Sequence, residues 1–253
     1  MIPLFKSQYS LGRSILTLDS PESLVEDGPD SIIDLAVKNN LEEVFLVDDS
    51  MTGFLQAYKN LTENNIKLIF GLRLTMCADM HEKTKDEEAK SSKYIIFAKN
   101  TDGYNRLIKI STSAAREGFY YVPRMDFKTL KEFWSDEDLM LCVPFYDSFL
   151  YRNTLENAIC APEFTFTNPT FFIEDNDIPF DYILAERVNK FAEQNGSDIQ
   201  KTKSVFYANK KDFKAYITFR CINNRSTLNK PNLEHMCSDK FCLESWKENN
   251  VSI

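Results

Sequence analysis

Residues 97–111 read Phe-Ala-Lys-Asn-Thr-Asp-Gly-Tyr-Asn-Arg-Leu-Ile-Lys-Ile-Ser, and 117–126 follow as Glu-Gly-Phe-Tyr-Tyr-Val-Pro-Arg-Met-Asp. The first stretch is the end of an apolar run, Tyr94-Ile95-Ile96-Phe97-Ala98, that reads as a buried strand. A helix near 102–115 follows it. The same succession recurs on both sides. Val44-Phe45-Leu46-Val47 predicts a strand, and Phe54, Leu55, Tyr58 and Leu61 at helical spacing predict a helix near 53–64. Lys67-Leu68-Ile69-Phe70-Gly71 is the next strand, Leu139-Met140-Leu141-Cys142-Val143 another, and Thr170-Phe171-Phe172-Ile173 a weaker one. Further helices are expected near 126–134, near 180–194 before the Asn195-Gly196 stop, and near 209–222 after a last strand, Ser204-Val205-Phe206-Tyr207. Strand–helix alternation over 253 residues favours a parallel sheet, most economically closed as a barrel. Segment 81–92 reads as a charged loop, and the tail from Asn223 as irregular.

Hydrophobic content of 43% with 27% charged residues is ordinary for a globular chain. No apolar run approaches the roughly 18 residues that a membrane span needs, and the start Met-Ile-Pro-Leu-Phe-Lys-Ser-Gln lacks the signature of a signal peptide. A cytoplasmic location is the expectation, with Cys77, Cys142, Cys160, Cys221, Cys237 and Cys242 as reduced thiols. Seven glycines and no glycine-rich loop exclude a P-loop or a dinucleotide fingerprint. Net charge is −8, but residues 201–230 hold eight Lys or Arg against the single acid Asp212, a window of +7 that leaves −15 elsewhere. Such a split suggests a basic face on an acidic body.

The block at 97–126 resembles the polymerase-and-histidinol-phosphatase (PHP) domain at the front of the bacterial DNA polymerase III alpha subunit. That resemblance runs from Leu4 to about Asp239. It implies a distorted (β/α)7 α/β barrel over 1–224, with an irregular extension over 225–253 packed on it. Working members of the family hold a histidine-rich metal cluster, whereas this chain has two histidines. The family opens with His-x-His-Ser-x-Tyr-Ser, and here the matching stretch is Leu4-Phe5-Lys6-Ser7-Gln8-Tyr9-Ser10. Its Thr-Asp-His-Gly corresponds to Val47-Asp48-Asp49-Ser50, and its Gly-x-Glu to Gly71-Leu72-Arg73. A cysteine ligand after the strand near 140 corresponds to Phe145, and the closing Asp-x-His-Tyr to Ser204-Val205-Phe206-Tyr207. The degenerate metal-site positions are therefore Leu4, Lys6, Asp48, Asp49, Arg73, Phe145, Ser204 and Phe206, of which Asp48 alone keeps its type. Arg73 is expected to pair with Asp48 or Asp49, replacing metal charge with a guanidinium.

Two weaker metal readings stand beside this. Asp48, Asp49 and Asp147 could hold Mg²⁺ through oxygen ligands if all three follow strands, although such carboxylates are more often caps or ion-pair partners. His235, Cys237 and Cys242 could hold zinc, with free thiols as the plainer reading. Glu174-Asp175-Asn176-Asp177 reads as a solvated turn. In the basic window, Phe213, Tyr216, Ile217 and Cys221 lie at core spacing, leaving Lys210, Lys211 and Lys214 as an exposed helix face for a partner. The resemblance implies a non-catalytic module without cofactor, binding a polymerase body or a proofreading exonuclease. The alternatives are a phosphoesterase or 3′–5′ exonuclease with a rebuilt site using Zn, Mn or Mg, and a DNA-contacting accessory. A stand-alone phage protein and an excised domain both remain open.

Overall fold

A computed structural model describes residues 1–229 and 238–250. The class is α/β, as expected, and the chain divides into two compact units.

The first unit comprises Met1–Phe70, Glu174–Asp181 and Lys201–Ile253. Strand β1 (Ile2–Phe5) lies between β2 (Glu43–Asp48) and β8 (Ile199–Val205) and runs parallel to both. Leu4 is in register with Phe45 on one side and Ser204 on the other. Parallel strands covered on both faces need near-continuous apolar runs, and Phe5, Val44, Leu46 and Val205 are fully buried. Helix α1 (Ile32–Lys38) starts where the Ser31 side chain accepts from Ile33 N, and it buries Ile32, Ile33, Leu35 and Ala36. Its Asp34 in the first turn and Lys38 in the last complement the helix dipole. Helix α2 (Phe54–Glu63) buries Ala57 and Leu61, whereas Leu55 and Tyr58, placed on its apolar spacing from the sequence, are exposed.

The last strand of the sequence reading begins and ends earlier than expected, at Ile199 and Val205. The tail is also more regular than expected. Helix α9 (Leu243–Asn250) follows a short pairing in which Phe206 N donates to Phe241 O and Leu243 N to Tyr207 O. The Trp246 indole then donates to Met1 O at 2.9 Å, tying the two ends of the first unit together.

The second unit comprises Gly71–Ile173 and Tyr182–Gln200. Here the expected all-parallel arrangement fails. Strand β4 (Ser92–Ala98) is antiparallel to both β3 (Lys67–Cys77) and β6 (Leu139–Val143), whereas β3 is parallel to β5 (Arg124–Asp126) and β6 to β7 (Thr170–Ile173). Apolar runs signal burial without signalling direction. Within 81–92, helix α3 (Lys85–Ala89) starts at Thr84, whose side chain accepts from Glu87 N, and the buried Glu87 carboxylate accepts from Ala78 N and Asp79 N. Helix α4 (Thr101–Arg116) starts at Asn100, whose side chain accepts from Gly103 N. Gly103 is required there, since a Cβ would lie 2.2 Å from Asp138 O. Helix α5 (Phe127–Phe133) is capped by Asp126, and α6 (Phe149–Leu155) by Ser148. Helix α7 (Asp181–Asn195) contributes Phe191 to an aromatic core with Tyr94, Phe149, Phe164 and Phe171.

Candidate functional site

In the first unit, the residues after β1 and at the end of β2 form one hydrogen-bonded set. Asp48 is fully buried. Its Oδ1 accepts from Ser7 N at 3.0 Å and from Ser10 Oγ at 2.7 Å, and its Oδ2 from Ser7 Oγ at 2.6 Å. The Ser10 hydroxyl in turn accepts from Asp49 N at 2.9 Å. Ser7 and Ser10 of the opening motif thus hold Asp48, while the Tyr9 hydroxyl donates to Gln56 Oε1 at 2.8 Å. Lys6, 6% exposed, donates to Asp49 Oδ1 at 3.3 Å. Leu4 is core, and Phe206 stacks between Tyr216 and Phe241 with ring centroids 5.8 and 5.4 Å away.

Ser204 leads to a group that the sequence reading missed. Its N and Oγ donate to Glu174 at 2.9 and 2.7 Å, and Asn176 Nδ2 donates to the same carboxylate at 3.0 Å. Glu174 and Asn176 are buried while Asp175 and Asp177 are exposed, so the expected solvated turn is solvated on one side only. Burial pushes the Glu174 carboxyl above its ordinary value, with the Ser204 and Asn176 donors acting against it. Neighbouring Lys203 is also buried, and burial lowers its pKa while its ammonium donates to Asp175 O at 2.7 Å. The clue to Glu174 was positional: it is the first carboxylate after the Thr170–Ile173 strand.

In the second unit, Arg73 on β3 is 8% exposed and donates to Asp147, which holds a left-handed backbone at φ 61°. Asp147 O accepts from Lys93 N at 2.9 Å, tying this turn to β4. Phe145 is fully buried against Tyr146.

The residues present do not fit a PHP metal cluster. The positions expected from the sequence to correspond to the family's ligands hold Leu4, Lys6, Asp48, Asp49, Arg73, Phe145, Ser204 and Phe206, and among these only the two aspartates are common metal ligands. In the first unit the carboxylates are engaged by donors, Asp48 by two hydroxyls and an amide, Asp49 by Lys6 and Glu174 by Ser204 and Asn176; in the second unit Asp147 is engaged by Arg73. His235 and Cys237 lie outside the described residues. Cys242 is buried, its thiol donating to Asp239 O at 3.4 Å, and burial raises its pKa.

The basic window is partly consumed inside the fold. Lys203 and Arg220 are buried. Lys210 donates to Glu248 Oε2 at 2.7 Å and sits with Lys211 in a 3-10 turn, while the exposed Lys214 lies on α8 (Phe213–Asn223), so the three do not share one helix. Lys211 also lies within electrostatic range of Asp30.

The sequence pattern of the PHP domain matches residues 23–149. The chain is 27% identical over 228 residues to the DNA polymerase III subunit alpha of Borreliella burgdorferi, covering 86% of this chain and 20% of that protein. It is 24% identical over 208 residues to the same subunit of Thermus aquaticus, covering 79% of this chain and 17% of that one. A shorter stretch of 83 residues is 35% identical to the Helicobacter pylori subunit, covering 33% of this chain and 7% of that protein. The chain thus spans about a fifth of the length of the first of these relatives. Among the described residues no helix is long and apolar enough to cross a membrane. A match over half of the chain, with an α/β succession that follows that of the PHP barrel, settles the family: the chain belongs to the PHP domains.

Proposed function

We propose that this chain is a catalytically inactive PHP module of a DNA replication machinery, acting as a scaffold for a polymerase body or a proofreading exonuclease. The observation that carries the reading is the ammonium of Lys6 on Asp49 and the guanidinium of Arg73 on Asp147. A metal-activated water needs converging imidazoles and carboxylates with open coordination positions. On this reading Lys6 and Arg73 replace two metal ligands, and each holds a carboxylate. Relatedness to a replicative polymerase subunit supports the replication context, and a folded module without hydrolytic chemistry is suited to binding. The test is co-elution of the purified chain with a family C polymerase body lacking its own PHP region, and separately with a proofreading exonuclease. A stable complex with either is expected. Failure with both, together with metal-dependent release of nucleotides from DNA 3′ ends, would favour the rebuilt-site phosphoesterase.

A further inference from the structure

We draw no further inference here: the strongest candidate, the loop Asp19–Asp30 of the first unit, which carries five acids and no cation and is closed by the Ser31 hydroxyl donating to Asp19 O, is an acidic cluster at which no second observation points to a ligand.

Discussion

Replacing Asp48 by alanine should destabilise the protein whether or not metal is supplied. The carboxylate is fully buried and accepts three hydrogen bonds, from Ser7 N, Ser7 Oγ and Ser10 Oγ. Hydrogen bonds to charged groups contribute about 1.5–3 kcal/mol each, and donors left buried without an acceptor carry a desolvation penalty. The three share one carboxylate, so their contributions do not add. The two serine hydroxyls can also rotate towards other acceptors, while the Ser7 amide cannot. These considerations place the loss at about 3–5 kcal/mol, a large fraction of the stability of an ordinary domain. Asp48→Asn keeps one acceptor oxygen and should cost about half as much. The assay is urea unfolding, with and without EDTA, followed by a probe in the first unit. The midpoint should fall at unchanged slope and be indifferent to the chelator. A loss below about 1 kcal/mol would refute the reasoning, as would a wild-type midpoint that falls on chelation.

Arg73→Ala should cost about 1–3 kcal/mol, less than for a wholly buried pair because Asp147 is partly exposed, and a double-mutant cycle with Asp147→Ala should return a favourable coupling. A coupling near zero would mean that the pair is incidental. Glu174 has a raised folded-state pKa, so its contribution is fully present below its ordinary value of 4.5 and is lost as pH rises through the raised value. Glu174→Gln should flatten that decline, and a stability difference from wild type independent of pH between 4.5 and neutrality would contradict the assignment. Removing residues 238–253 should destabilise the first unit by several kcal/mol, since Phe241, Cys242 and Leu243 are core; truncation without change in thermal midpoint would show the extension to be separable.

Elements whose burial follows from local pattern were legible in the sequence. The Tyr94–Ala98 strand and the helix after it stand where the apolar run and the periodicity put them. The antiparallel setting of β4 was not legible, because strand direction depends on connections rather than on composition. The short helices α1 and α6 were missed although α5, also seven residues, was expected; a two-turn pattern is a weak signal, and serine caps are common in turns as well. At the candidate site, Lys6, Asp48, Asp49 and Arg73 could be singled out in the sequence. Where the remaining charges go could not. Lys6 and Asp49 are 43 residues apart, Arg73 and Asp147 74, and Ser204 and Glu174 30. Within the basic window, charge counted along the chain does not register Glu248 opposite Lys210 or the burial of Lys203 and Arg220.

The central claim is that fixed side-chain cations and hydroxyls have taken over the positions of a PHP metal cluster. Elemental analysis of the purified chain, paired with hydrolysis assays on a phosphate monoester and on DNA 3′ ends with added manganese or zinc, tests it most directly. Substoichiometric transition metal and no hydrolysis under either condition are predicted. Stoichiometric zinc, iron or manganese, with hydrolysis that disappears on chelation, would contradict it.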